Sequence, residues 1–589
     1  MNHDTAAAPP TEGHRADAAR HHLDDVVLTD AVEHWLRGIA RVLSLVVLAG
    51  FGIALFEYGP PGASDYVAWQ ERASLLALTV AAAGLLLAWF AEGAGGALGI
   101  VAGAFVGALA AFEYPLLVSL AVTLLIVVPS MLFLLAWKRT RTWRAVLVLA
   151  IAGSAVLAGG AAFAYQVYDD GHGAAHPQSD REALAASAVD WMWSGGVTAD
   201  SATVVATVPD ASAVRLAVAT DADFGALTYV ASARRGPVHR FDLTGLAADT
   251  RYFYAVEADG VLDRVRVGTL RTWPAGPFDF TVALGSCARS GSNGAVFDEI
   301  LSLEPDLFLS SGDLFYGDVI DNSLDTFSAL YGGSLRRPAQ AALFAGVPIA
   351  YTWDDHDYGP NDSGGDSPSR AAALYSYREL VPHYTFALDG PDAPIAQAFT
   401  IGRVRFILTD TRSARTPPSD GTTPGSMLGA EQLGWFLDEL AASAADHAVV
   451  VWVSSVPWIS TASTGADDWA GYPEERATIA QFVGSRGIDN MLMVAGDAHM
   501  VAIDDGSNNR YSASGEPSFP VMHAAALDRP GSLKGGPYSE GAYPGPGQFG
   551  LLSVHDDGGS QVTVDLVGMD WRGNEIASLR LTYTVGASP

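Results

Sequence analysis

An apolar run opens at Val347 and ends abruptly at Asp354, Asp355, His356 and Asp357. These four groups can bind cations or move protons, and a merely solvated surface gives no reason to place them directly behind a strand. A strand whose C-terminal end opens into a site does. The pattern recurs along the chain. Phe278–Leu284 leads to Cys287, and Asp306–Leu309 leads to Asp313, Tyr316 and Asp318. Val404–Leu408 leads to Asp410 and Arg412, and Met491–Val494 leads to Asp497 and His499, while Asn361 follows the first cluster closely. Taken singly, each residue has a plain structural explanation: Gly312-Asp313 as a turn, Asp410 as a helix cap, Cys287 as a small buried hydrophobe, Tyr316 as a core aromatic. Together they place several carboxylates at one end of a sheet. There they repel one another by several kcal/mol, as an order of magnitude, unless cations intervene.

The donor types indicate which cations. A thiolate, a phenolate and an imidazole around one ion suit iron or zinc, and the phenolate favours a ferric centre; carboxylates and an amide oxygen suit calcium, magnesium or manganese. A mixed cluster with Asp313 as the bridging carboxylate is the economical reading. Two metals held together lower the pKa of a bound water and clamp a phosphoryl group for in-line attack. Arg412 would then fork over the non-bridging oxygens, and His356 would protonate the leaving oxygen. Asp318, Asp354, Asp357 and Asp410 are either further ligands or partners that orient the ligands.

The elements that must carry these residues alternate strand and helix from Phe278 onward, with a helix expected over Glu431–Ala442; this predicts an α/β core. Ahead of it, residues 187–274 read as a small β-sandwich with strands near Ala202–Val208, Val214–Ala219, Val238–Leu243, Arg251–Val256 and Val265–Leu270. The stretch Phe241–Tyr254 resembles the corner of a fibronectin type III-like domain, with Tyr252 as the residue whose hydroxyl pins the corner. The domain boundaries expected are a disordered tail over 1–34, a membrane region over 35–167, a linker over 168–186, the sandwich over 187–274 and the catalytic region over 275–589. His3, His14, His21 and His22 in the tail read as scattered solvated side chains.

The chain has 589 residues, a net charge of −31 and one cysteine. The charge argues against a nucleic-acid partner, although local metals can still draw in a small anion. A lone cysteine excludes an intramolecular disulfide. Five long apolar stretches, Ile39–Phe56, Ala73–Phe90, Gly96–Phe112, Pro115–Trp137 and Trp143–Tyr165, predict about five transmembrane helices. The basic loop from Lys138 to Arg144, with Arg37 and Arg41, places the N-terminus in the cytoplasm and everything after the fifth span outside. The spans carry no acidic row of the kind a transport path uses, so they read as an anchor rather than a channel.

The set Gly-Ser-Cys287, Gly-Asp313-x-x-Tyr316-x-Asp318, Trp353-Asp-Asp-His-Asp357, Asp410-x-Arg412 and Gly-Asp497-x-His499 resembles the alkaline phosphatase D (PhoD-like) branch of the calcineurin-like metallophosphoesterases. The resemblance runs over roughly residues 187–585 and leaves 1–186 uncovered. It implies a four-layer αββα sandwich and a ferric ion with calcium, other divalent metals such as zinc, manganese or magnesium being alternatives. It also implies Cys287, Asp313 and Tyr316 on iron with His499 close by, and Asp355, Asn361 and Asp497 on the second metal. The activity implied is hydrolysis of phosphomonoesters or phosphodiesters, with phospholipids among the substrates; an inactive binding or signalling homologue is the alternative. The wider superfamily has a metal-binding histidine where this chain has Ser454-Ser455-Val456-Pro457. Specificity is expected in the insertions 322–346, 362–400, 412–427, 459–472 and 503–548.

Overall fold

A computed structural model describes residues 34–52, 69–113, 116–137, 177–233, 236–418, 424–463, 465–524 and 526–586. The chain divides into two units, one ending at Tyr168 and the other beginning at Asp169 apart from the short stretch Ser64–Tyr66.

The first unit holds helices His34–Gly52, Trp69–Ala88, Glu92–Glu113 and Leu116–Trp137. Small residues let the backbones approach closely: a Cβ on Gly84 would lie 2.8 Å from the amide nitrogen of Gly99, and one on Gly103 would lie 2.8 Å from Ile126. Arg37 reaches across to the buried Glu92 at 2.6 Å. The five-span expectation is not carried by these helices. Among the described residues, His34–Gly52 alone is long and apolar enough to cross a membrane, and a signal sequence near the N-terminus passes the same test of length and composition. The other three contain shorter apolar stretches, Leu76–Ala88, Glu92–Gly107 and Ala121–Trp137. The fifth expected span, Trp143–Tyr165, lies outside the described residues, and so does the tail before His34.

In the second unit, the strands Phe280–Gly285, Leu307–Ser310 and Ile349–Tyr351 run parallel at the centre of a nine-stranded sheet. On one side the sheet continues into the antiparallel C-terminal strands Gln548–His555, Gln561–Asp570 and Glu575–Thr584. On the other it continues into Trp191–Gly195, Ser201–Thr207 and Val238–Thr244. A second, seven-stranded sheet has Val404–Leu408, Val449–Ser454 and Met491–Ala495 as its parallel core. Alternate residues of both trios meet in one core: Val282, Leu284 and Leu309 from the first, Phe406, Val451 and Val494 from the second. The opposite faces take helices. Ala283, Phe308 and Ile349 lie under Ala295–Ser302, Leu324–Leu335, Pro338–Gly346 and Arg370–Leu380. Ile407, Trp452 and Met493 lie under Gly429–Asp446 and Pro473–Arg486. The result is the expected αββα order.

Residues 187–274 are less separate than a free-standing sandwich would be. Their strand Trp191–Gly195, absent from the sequence reading, lies beside Ile349–Tyr351 and so continues the catalytic sheet. Thr228–Ala231, Val214–Ala219, Arg251–Ala258 and Val261–Arg271 form a four-stranded sheet of their own. The Tyr252 corner is present: the amide of Ala247 donates to the Tyr252 hydroxyl at 2.8 Å. Tyr252→Phe should therefore lower the unfolding free energy by about 1 kcal/mol, read as a drop in the thermal midpoint, with metal content unchanged. An unchanged midpoint would show that the corner bond contributes nothing.

Candidate metal centre

The parallel strands of both sheets point their C-terminal ends to one place, and the loops that follow bend sharply there. Cys287, Asp313, Asp318, Asp497 and His499 all have left-handed backbone, with φ of 60°, 53°, 45°, 61° and 52°. Such conformations cost on the order of 1–3 kcal/mol each for a non-glycine residue and persist where the surroundings over-determine them. Gly312 is needed for closeness: its φ is 113°, and a Cβ there would sit 2.5 Å from that of Asp354.

Asp313 is the hub. It is buried, and neither carboxylate oxygen has a hydrogen-bond partner. Its ligand atoms lie within 4.8 Å of those of three sets of neighbours: Cys287 with His499, Asp355 with His356, and Asp354 with Asp497. Burial pushes its carboxyl up to about 7; His356 opposes this, while Asp355, Asp357 and Asp497 add to it. Burial, helped by Asp313 and Asp497, likewise pushes the Cys287 thiol up. Burial together with Asp313 and Cys287 raises the Tyr316 phenol. His499 hydrogen-bonds the carbonyl of Pro530 through Nδ1 at 2.9 Å, which leaves the Nε2 lone pair facing the Tyr316 hydroxyl at 2.9 Å. Burial holds His499 far below its ordinary range, in the neutral form a metal needs. These donors are poor anions by themselves and good ones beside a cation, so the set fits metal ions.

The 354–357 turn divides its work. Asp357 accepts from the amides of Leu314 at 2.9 Å and Asp354 at 2.7 Å and from the Tyr351 hydroxyl, so it ties the turn together. Asp355 accepts from the amides of His356 at 3.0 Å and Asp362 at 2.6 Å. Burial works to raise the Asp355 carboxyl, but Arg412 and His356 outweigh it and hold the group below its ordinary value. Asp354 receives Arg412 Nε and Ser455 Oγ on one oxygen, each at 2.6 Å, and its other oxygen is buried without a partner. Asp354 thus has the geometry of a ligand at least as well as Asp355, and Ser455 supports it through the oxygen that Arg412 also holds. His356 meets Asp318 through Nδ1 at 2.7 Å, and its ring lies 4.1 Å from that of Tyr316. Burial works against its charge, but Asp313 and the Asp318 bond raise it to about 10. Asn361 is exposed in the turn beside Asp362.

Two further expected residues turn out to be committed elsewhere. Asp410 is wholly satisfied, accepting from Trp353 Nε1 at 2.8 Å, from the amides of Ile395, Arg412 and Ser413, and from the Ser413 hydroxyl. It braces the loop. Arg412 is fully buried and gives Nε to Asp354 and both terminal nitrogens to Asp467, at 2.8 and 2.6 Å. No donor edge is left to fork over a substrate. Asp467, held well below the carboxylate range by Arg412 and Arg415 against the effect of burial, sits in an insertion whose composition gives no signal. Lys534, on Asp497 at 2.7 Å, and Arg529, over the Tyr316 ring at 4.0 Å, also come from such an insertion. Arg412→Met should lower the unfolding free energy by about 3–5 kcal/mol, because it strands buried carboxylates; chemical denaturation measures this. Unchanged stability with only a raised KM would return Arg412 to the substrate.

Residues 282–524 match the family model described as PhoD-like phosphatase. Alkaline phosphatase D of Bacillus subtilis (strain 168) is 31% identical over 186 residues, which is 27% of this chain and 32% of that protein. The chain therefore aligns with about a third of the length of that curated relative. A solved structure of PhoD superposes with a TM-score of 0.57 at 20% identity, over 69% of this chain and 91% of the other. A purple acid phosphatase from yellow lupin (Lupinus luteus) gives a TM-score of 0.49 at 12% identity, over 67% and 74%. The stretch 282–524, which carries the loops from Cys287 to His499, is similar in sequence to the PhoD-like phosphatases, and the fold around it is shared with a solved PhoD.

Proposed function

We propose that this chain is a metal-dependent phosphoesterase acting on phosphomonoesters or phosphodiesters. The observation that carries the reading is Asp313, buried with both oxygens free and shared by three groups of ligand-bearing neighbours. Cys287, Asp313, Tyr316 and His499 would hold a ferric ion. Asp313, Asp354 and Asp497, with Asp355 alongside, would hold calcium or another hard divalent ion. Bound metals supply Lewis acidity and neutralise the phosphoryl group.

The chain's own residues do the rest. His356, kept protonated by Asp313 and Asp318, is placed at the edge of the cluster to give its proton to the leaving oxygen. Asp318 fixes the ring through Nδ1, so Nε2 is the atom that faces the ester. Arg412 holds Asp354 in place. We further propose that the N-terminal unit anchors the enzyme through several spans, with the N-terminus cytoplasmic and the catalytic unit outside. Large apolar side chains on its helices stand open, among them Val42, Leu45, Val101, Phe105, Leu124 and Leu135. Phospholipid diesters therefore belong among the substrates to be tried.

Full-length protein purified in detergent should contain iron and calcium and hydrolyse a nitrophenyl phosphodiester; metal-replete protein with no turnover of mono- or diester would sink the enzyme reading. Asp313→Asn should lose both metals and activity. His356→Ala should keep its metals and lose about 10²–10⁴-fold in turnover of esters with poor leaving groups. Loss of metals in that variant would remove His356 from the role of acid.

A further inference from the structure

The segment 526–534 follows the stretch matched by the phosphatase family and lies across the metal centre. It is pinned to the loops that carry the donors. The amide of Leu527 donates to the carbonyl of Ser286 at 3.1 Å, and that of Ser532 to the carbonyl of His499 at 3.0 Å. Asp528 accepts from the amide of Arg289 at 2.6 Å, the Ser532 hydroxyl donates to the carbonyl of Ala498 at 2.9 Å, and Pro530 takes the Nδ1 bond of His499. These bonds fix where the segment's two cations stand. Lys534 is committed to Asp497. Arg529 is different: among the described residues it makes no ion pair, and its buried Nε has no partner. Its guanidinium lies 4.0 Å from the centre of the Tyr316 ring, packed on the ring face, and the residue is partly open to solvent. Burial works against its charge, while Tyr316, Asp313 and Cys287 favour it, so it stands within electrostatic reach of the iron-type donor set.

We propose that Arg529, rather than Arg412, is the residue that binds the phosphoryl oxygens of the substrate. The inference rests on the phosphoesterase reading and deepens it. Once metal ions neutralise Cys287, Asp313 and Tyr316, the guanidinium keeps a surplus positive charge at the edge of the cluster. Its planar fork matches the spacing of two phosphoryl oxygens. Stacking on Tyr316 holds the fork flat and spends few of its donors, so they remain for an anion. Arg412 has no such freedom, because all its nitrogens are bound to Asp354 and Asp467.

The test uses inorganic phosphate on full-length, metal-loaded protein in detergent, with titration calorimetry for affinity, elemental analysis for metals and steady-state kinetics on the nitrophenyl diester. Arg529→Gln should weaken phosphate binding by about 10–100-fold, as expected for lost charged hydrogen bonds. It should raise KM comparably and leave metal content at the wild-type level. Arg529→Lys, which keeps the charge without the fork, should fall between. Phosphate affinity within twofold of wild type in metal-replete Arg529→Gln would overturn the proposal. So would loss of metals in both variants, which would make Arg529 a support of Tyr316. Wild-type protein that binds phosphate without turning over any ester would defeat the hydrolase reading alone, because the calorimetric comparison still decides the role of Arg529. Wild-type protein that binds no phosphate would overturn this inference.

Discussion

Asp313 is buried with no hydrogen bond to either oxygen, and Asp354, Asp355, Asp357 and Asp497 crowd around it. Two unit charges 4 Å apart repel by about 4 kcal/mol at an effective dielectric constant of about 20, so the crowd must be compensated. The molecule does this in graded ways. Asp357 and Asp410 are answered by backbone amides and hydroxyls. Asp355 and Asp354 are answered by Arg412, which Asp467 holds from the other side. Asp497 is answered by Lys534. Asp313 has no hydrogen bond and only the nearby His356 to set against its burial, and one oxygen of Asp354 has no partner. What the protein itself leaves unanswered is where external cations fit, and this gradient separates ligand from scaffold better than residue type does.

The same constraint explains the fold around the site. Parallel strands from two facing sheets bring their ends together, but a strand end alone aims side chains across the sheet and not inward to a point. The left-handed turns at Cys287, Asp313, Asp497 and His499 make that correction. Their strain is tolerable because each loop is bonded to its neighbours: the Cys287 amide to the Gly312 carbonyl, the Ala288 amide to that of Asp313, and the Leu314 amide to Asp357. The αββα core and the strained turns are thus parts of one device for concentrating donors.

Much of this was legible in the sequence. Apolar runs followed by donors marked the parallel strands, and the period-2 alternation of Val282, Ala283 and Leu284 is the reason both faces of each sheet found partners. The corner at Tyr252 could be read from its local pattern. Three things could not be read. Asp354 and Asp355 are adjacent, and only the partners of their oxygens show which has one to spare. Arg412 has the right type and place to bind a phosphate, and only Asp467, more than fifty positions away in a polar insertion, takes it out of reach. Arg529 and Lys534 lie in a Gly- and Pro-rich stretch with no periodicity, where position is set entirely by tertiary hydrogen bonds.

A chain of net charge −31 that handles an anion faces an apparent conflict. Screening resolves most of it: at physiological salt, charges farther than about 8 Å contribute little, so the distant carboxylates hardly reach the centre. Within that radius the balance is local and depends on loading. Without metals the cluster is an acid trap in which Arg412, Lys534 and the charged His356 are all spoken for. Bound cations would neutralise the carboxylates, while Arg529, which makes no ion pair among the described residues, would keep its charge. The sign of the pocket would therefore reverse on loading, and anion affinity should be a property of the holoprotein rather than of the fold.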